Sequence, residues 1–411
     1  MAVPFYSIDI KPQEILSMLK CVVLPFETKD KKDLLEHIND NFPLRKILIL
    51  PSARMAFYLT LQAKFNRGDE IIFPVLGFPL YVKIARQLGL NVKFVDVEPL
   101  NLNIDPKKLR EKISSNTKAI VVTHLFGHPA KLKEIINIAK QHNIFVIEDC
   151  AQSYDSKFEG NPTGIWGDVG IFSCSLMKVP TTLGGGIFIT KHNDLCNKIS
   201  AQLSSNKFSN SIKDRFPYFV KNSISILNSF PFLYTILSHH IFGILKKRNP
   251  LLLRRILYSG MGMNGNEFNL WERPKLSSYQ LNFGFKQFSR TQVMTNKRRL
   301  NSKIIDQHLF GIPNVKIFLE SKNVYWNYQY HVIEIKECMN TVYKKMFDKG
   351  FHLMKEDVWD CTKYDFTYDN EHFPIGTGAN KGLIRIPNNS LLSETTIIRI
   401  STHLKEVCQS L

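Results

Sequence analysis

The stretch FSCSLMKVPTTLGGG, Phe172 to Gly186, sets one lysine, Lys178, after small and hydroxyl-bearing residues and ahead of three consecutive glycines. A solvated lysine needs no such surroundings, whereas one that meets a flat, phosphorylated cofactor does. Upstream, the apolar run of VIEDCAQ ends on Asp149. Pyridoxal phosphate requires an amine for its Schiff base, a carboxylate to keep its pyridine nitrogen protonated, and donors for its phosphate. The protonated ring matters because it is the electron sink for a carbanion. Lys178 and Asp149 supply residue types for the first two requirements. Backbone amides of Ser52, Ala53 and Arg54, at the start of a helical pattern, suit the phosphate, and Ser173 is a further candidate. Phe78 lies past a strand end in IIFPVLGF, where an aromatic ring would cover one cofactor face.

Other readings of the same residues stay open at this level. Lys178 taken alone is a surface lysine, and Phe78 alone a core residue. Asp149 alone is a strand-end carboxylate for a ribose or a metal. No GxGxxG follows the first strand, so a dinucleotide site is not expected. Gly184 to Gly186 also suit a tight turn into IFIT. His124 and His128 frame HLFGH without sharing a helix face, so a loop or core role is expected and no metal site.

The elements that must position these residues alternate. KILIL, DEIIFP, NVKFVDV, KAIVVTHLFG and IFVIEDC read as strands. Between them, PSARMAFYLTLQAKF, LYVKIARQLGL, DPKKLREKI and PAKLKEIINIAKQHN read as helices, with Ser52 and Asp105 as caps and Pro106 at a first helical position. Such alternation predicts a parallel sheet with helices on both faces and ligands at the strands' carboxyl ends. From about Asn323 onward YWNYQYHVIEI, MNTVYKKMFDKG and SETTIIRISTHLKEV predict a smaller α+β lobe ending in a helix.

The 411 residues exceed one ordinary core, and hydrophobic and charged fractions of 44% and 22% are those of a globular chain. Seven scattered cysteines without a CxxC pair predict reduced thiols in a cytosolic protein. The opening MAVPFYSIDIKPQEILSMLK does not read as a signal peptide. The net charge of +18 favours an anionic partner: nucleic acid, a membrane or phosphorylated small molecules. No zinc-finger or RNP-like pattern supports nucleic acid. From Asn222 to Leu245 there is no Asp, Glu, Lys or Arg, with Lys221 before the stretch and Lys246, Lys247 and Arg248 after it. Three readings are open for it: buried core or dimer interface, an amphipathic membrane contact, and a span disfavoured by Pro231 and the polar residues.

The chain resembles the DegT/DnrJ/StrS family of sugar aminotransferases, which are fold-type-I pyridoxal-phosphate enzymes. VPFYSIDIKPQEI, RGDEIIFPVLGF, VKFVDVEPLNLNIDP, VVTHLFGHPAKLKEI, VIEDCAQSYDSKFEGNPTGIWGDVGIFSCSLMK and LIRIPNNSLLSETTIIRI carry the resemblance. It implies Lys178 as the Schiff-base lysine, Asp149 as the partner of the pyridine nitrogen, Phe78 as the stacking ring, and Gln152 near the ring oxygen. It also implies a homodimer, with Asn269 reaching the neighbouring subunit's cofactor. Ser52-Ala53 stand where the family commonly has Gly-Thr, and Gly184-Gly185-Gly186 where it has Glu-Gly-Gly. Some relatives carry histidine for the lysine and act as dehydratases, and Lys178 argues against that here.

The resulting expectation is a fold-type-I large domain over 1–285, with a mixed, mostly parallel sheet between helices and an apolar insertion at about 210–262. A smaller α+β domain covers 286–411. The expected activity moves an amino group from a donor, glutamate by resemblance, to a keto sugar, nucleotide-linked, in surface polysaccharide or glycolipid biosynthesis. The alternatives are another pyridoxal-phosphate reaction on a keto substrate, or a non-catalytic cofactor-binding or membrane-associated scaffold. The expected location is cytoplasmic, at the inner face of a membrane touched through 216–258.

Overall fold

The computed structural model describes residues 2–4, 7–16, 27–205, 212–241, 275–335, 338–355, 360–364, 372–379 and 381–410, together with Ile244, Arg248 and Asn249. In chain order the first strands are β1 (Lys46–Leu50), β2 (Glu70–Pro74), β3 (Asn91–Val95), β4 (Thr117–Thr123), β5 (Phe145–Asp149), β6 (Lys157–Phe158), β7 (Asn161–Pro162), β8 (Val169–Ser173) and β9 (Gly186–Thr190). They are followed by β10 (Val315–Ile317), β11 (Val324–Tyr325), β12 (His331–Ile335), β13 (Met354–Lys355) and β14 (Leu383–Ile386).

A seven-stranded sheet runs β1-β9-β8-β5-β4-β2-β3. It is mixed and mostly parallel, because β9 alone runs against both of its neighbours. The inner strands β2 and β5 are buried along their whole length, as the apolar runs IIF and FVI require. Helices cover the sheet where the sequence caps them. Ser52 accepts the Met55 amide proton at the start of Ala53–Lys64, and Asp105 accepts that of Lys107 ahead of Pro106. Helix Leu132–Gln141 turns Leu132, Ile135, Ile138 and Ala139 into the core.

The reversal of β9 decides where the chemistry can sit. Leaving β8 and re-entering as β9, the chain must make its loop 174–185 entirely at one sheet edge. Leu50 pairs with Gly186 there, so β1 also ends at that edge and its helix starts beside it. The carboxyl ends of β1, β4, β5 and β8 therefore share one edge with the loop that carries Lys178.

A second, antiparallel sheet, β10-β12-β14-β13, packs with helices Thr291–Leu309, Met339–Asp348 and Glu394–Gln409 around Ile333, Ile384, Ile397 and Ile400. The chain's start crosses to it, Val3 bridging to Phe351. Arg290 binds Asp9 and Glu14, each at 3.0 Å. A three-stranded sheet, β11-β6-β7, ties residues 157–162 to 324–325.

The uncharged stretch folds as the end of helix Ile212–Leu227, a turn, and a further helical segment from Pro231 through His239. No helix among the described residues is long and apolar enough to cross a membrane. That corrects the spanning reading, and the physical cause is Pro231, which starts a new segment rather than continuing the old one. The core reading holds for one side only: Asn222, Ile226, Ser229 and Tyr234 are buried, whereas Ile224, Leu227, Phe232 and Ile236 are exposed. The six described cysteines are free thiols.

Candidate active site

Lys178 is positioned by its neighbours in the chain and by Gln329 and Tyr330, which lead into β12 of the other sheet. Its amide donates to the Ser175 carbonyl at 2.9 Å. Gln329 clamps the peptide groups on either side of it, donating to the Met177 carbonyl at 2.8 Å and accepting from the Val179 amide at 3.1 Å. Gln329 is itself held, through its carbonyl, by the buried Arg298 at 2.9 Å. The Lys178 ammonium donates to the Tyr330 hydroxyl at 3.4 Å. The guanidinium of Arg385, in β14, lies 3.5 Å from the centre of the Tyr330 ring.

Asp149 ends β5, paired in register with Thr123 of β4 and Ile171 of β8. One carboxylate oxygen accepts the Ala151 amide at 3.1 Å. Burial pushes its pKa up from the ordinary carboxylate value; the Ala151 N–H, the charge of Lys178, His124 and the Thr123 hydroxyl oppose that rise. The phenol of Tyr81 is raised well above its usual value by burial and by the charge of Asp149, with Arg54 acting the other way. Tyr81 stacks on Phe57, with ring centres 4.0 Å apart, and Phe78 meets it edge-on at 5.4 Å. Phe78 is half-buried and sits one residue before helix Pro79–Gln87.

Ser52, Ala53 and Arg54 meet the start of β9. Ser52 bridges to Gly185, and a Cβ on Gly186 would lie 2.3 Å from the Ala53 nitrogen. Only glycine allows that approach. Ser173 pairs with Gly186 across β8 and β9, and its hydroxyl donates to that of Ser175 at 3.3 Å. Gln152 is buried, its side-chain oxygen accepting the Phe126 amide at 2.7 Å. Asn269 lies outside the described residues. The structure thus brings Lys178 and Asp149 within electrostatic reach, and sets Ser52 to Arg54 and Ser173 around Gly186.

His124 and His128 are both buried. His124 Nδ1 accepts the Ala130 amide, so its Nε2 is the donor to Glu148 at 3.1 Å. The Glu148 carboxylate also accepts amides from Gly164, Trp166 and Gly167. His124, Glu148 and Cys150 place ligand atoms within 4.8 Å of one another, but four N–H donors already occupy the carboxylate. This group clips the loop after β5 to the sheet.

Tyr330 and Gln329, the partners of Lys178 and its adjoining peptides, and Arg385, which packs on the Tyr330 ring, are residues that local patterns do not reveal. Their only trace in the sequence is the aromatic run YWNYQYH and an arginine inside the apolar LIRI.

With this geometry in view, residues 45–220 match the model of the DegT/DnrJ/EryC1/StrS aminotransferase family. The chain is 36% identical over 145 residues to the GDP-perosamine synthase of Escherichia coli O157:H7, which covers 35% of this chain and 40% of that protein. It is 36% identical over 140 residues to the GDP-4-keto-6-deoxy-D-mannose 3-dehydratase of Yersinia pseudotuberculosis, covering 34% and 36%. The match thus spans well under half the length of these relatives. Among solved structures the chain resembles Helicobacter pylori PseC, an aminotransferase involved in the biosynthesis of pseudoaminic acid. The TM-score is 0.78 over 100% of both chains, at 15% identity. This likeness shows the fold, which is that of fold-type-I aminotransferases.

Proposed function

We propose that this chain, a member of the DegT/DnrJ/EryC1/StrS aminotransferase family through residues 45–220, is a pyridoxal-phosphate-dependent aminotransferase acting on a keto sugar. The observation that carries this reading is a carboxylate, Asp149, buried at a strand end within the field of Lys178. A buried carboxylate whose pKa is pushed up by desolvation is costly until a cation neutralises it, and a protonated pyridine nitrogen is such a cation. The donor set therefore fits the cofactor. Bound there, pyridoxal phosphate would supply an electron sink that stabilises negative charge on the substrate carbon.

In this reading the residues divide the work. Lys178 would provide the amine that attaches the cofactor, and its Nζ, when free, would serve as the base that accepts a proton from the α-carbon of the bound amino donor and as the acid that gives it back. The Tyr330 hydroxyl holds that Nζ in place. Asp149 keeps the ring nitrogen protonated through both halves of the reaction. Amides of Ser52, Ala53 and Arg54, with the Ser173 hydroxyl, hold the phosphate. Phe78 covers one ring face, and Gln152, whose oxygen is committed to Phe126, offers its NH2 to the ring oxygen. Asn269 is assigned to the neighbouring subunit's site.

The donor is an α-amino acid, glutamate, and the acceptor a nucleotide-linked keto sugar, in keeping with the basic surface. The partners of this reading are a second copy of the chain and, through 216–258, the cytoplasmic face of a membrane. The division into 1–285 and 286–411 belongs to it too, supported by the separate apolar cluster around Ile333 and Ile400. The test is an absorbance spectrum of the protein with pyridoxal phosphate beside Lys178→Ala. A band near ~420 nm, absent from the variant and bleached by glutamate, is expected. No band in either protein would return the chain to a scaffold role. Loss of water from the sugar without nitrogen transfer from labelled glutamate would make it a dehydratase.

A further inference from the structure

One face of the insertion is exposed and apolar. In helix Ile212–Leu227, Val220, Ile224 and Leu227 follow at spacings of four and three, and are 38%, 54% and 46% exposed. Phe232 and Ile236, four apart beyond Pro231, are 63% and 55% exposed. Their outward direction is held by anchors on the other side. Asn222 donates to the Tyr279 hydroxyl at 3.2 Å, and Ser229 accepts the Ile8 amide at 2.8 Å. Ile226 packs with Ile8, Leu183 and Phe283. The Tyr234 hydroxyl bonds to His352 at 2.7 Å. Asn222 and Ser229 thus point inward beside Ile226, while Val220, Ile224, Leu227, Phe232 and Ile236 point outward, where an ordinary surface helix would carry polar side chains.

The stretch of chain that carries this face has charge of one sign along its sequence. Between Asp214 and Glu267 the sequence has no Asp or Glu, yet it holds seven cations, among them Arg215, Lys221, Lys246, Lys247 and Arg248. A second copy of the chain would bring the same cations against themselves, whereas an anionic bilayer would neutralise them. With no crossing helix among the described residues, the face fits a contact that lies on the surface rather than one that spans.

Within the membrane-contact reading, we infer that the outward face of residues 220–236 docks on an anionic lipid surface, its isoleucines entering the headgroup boundary and the flanking cations meeting the lipid charge. The experiment is co-sedimentation of the full chain with vesicles of phosphatidylcholine alone and of phosphatidylcholine mixed with phosphatidylglycerol. Mixed vesicles should bind it at least about tenfold better at low salt, with the gain shrinking as salt rises. Ile224→Asp with Ile236→Asp, both at exposed positions, should remove binding and leave the 420 nm band of the cofactor-loaded protein unchanged. Lys178→Ala should bind vesicles as the parent does, so a failed transaminase reading is told apart from a failed docking face. No binding to either vesicle would overturn the membrane contact as a whole. Equal binding to both, or undiminished binding by the double variant, would overturn this face and its lipid class. If the double variant instead converted a dimer to a monomer by light scattering with vesicle binding intact, the face would belong to a second copy.

Discussion

The Lys178 ammonium and the Tyr330 hydroxyl lie 3.4 Å apart, although 152 positions separate them in the chain. The same hydroxyl donates to the Met177 carbonyl at 3.4 Å, so Tyr330 ties the lysine's side chain to its own backbone loop. Arg385 against the Tyr330 ring holds the phenol from the far side.

Tyr330→Phe keeps the ring and its contact with Arg385 but removes the hydroxyl. We expect kcat to fall by about tenfold, the worth of one hydrogen bond to a charged group. Cofactor loading, read from the absorbance band, should change little. An unchanged kcat would mean that Lys178 needs no such holder.

Asp149→Asn should separate catalysis from stability. The amide oxygen can still accept the Ala151 N–H, while the buried carboxylate, raised in pKa by desolvation, is gone. The cofactor-free variant should melt no lower than the parent. Activity should fall by roughly 10²–10³-fold, as on removing one preorganised electrostatic partner. A variant that melts lower but keeps its rate would make Asp149 a structural residue.

Gly186→Ala would drive a methyl group into the first turn of helix Ala53–Lys64, 2.3 Å from the Ala53 nitrogen. Because the obstacle is backbone, we expect a loss of roughly 1–3 kcal/mol in chemical denaturation. Affinity for free phosphate or cofactor should weaken in parallel, since the same turn is the proposed phosphate site.

His128 gives the fold an acid limit. Burial lowers its pKa to about 4, and the ring donates from Nδ1 to the Pro129 carbonyl at 2.8 Å. The unfolded chain takes up the proton first, near ~6.5. Its contribution is therefore complete above that value and is lost as pH falls through the window toward about 4. The loss should reach on the order of 3 kcal/mol at the lower end. Denaturation curves from pH 7 to 4 should be flatter for His128→Asn than for the parent.

Much of the fold could be read from short stretches. IIF and FVI become buried strands because their apolar runs leave no face for water. Ser52 and Asp105 stop the chain where their oxygens can cap the next turn. These are interactions among residues a few positions apart, and local residue types suffice to specify them. The residue types of Lys178 and Asp149 suited the needs of one cofactor, but taken alone they left other readings open, and it was the longer motifs around them, through the family resemblance, that singled them out as candidates.

What surrounds them was decided by the tertiary structure alone. No local pattern announces that β9 reverses and so holds the lysine loop at the edge where β1, β4 and β5 end. Nothing in YWNYQYH sets Gln329 and Tyr330, rather than its other residues, against Lys178. Along the uncharged stretch, composition supplied the apolar residues and Pro231 the break, but which side faces outward depended on Ile8, Tyr279 and His352. Those partners lie 221, 57 and 118 positions away. Such pairings form only when the chain closes long loops, and their energies come from packing whole layers together, which residue type and spacing along the chain do not encode.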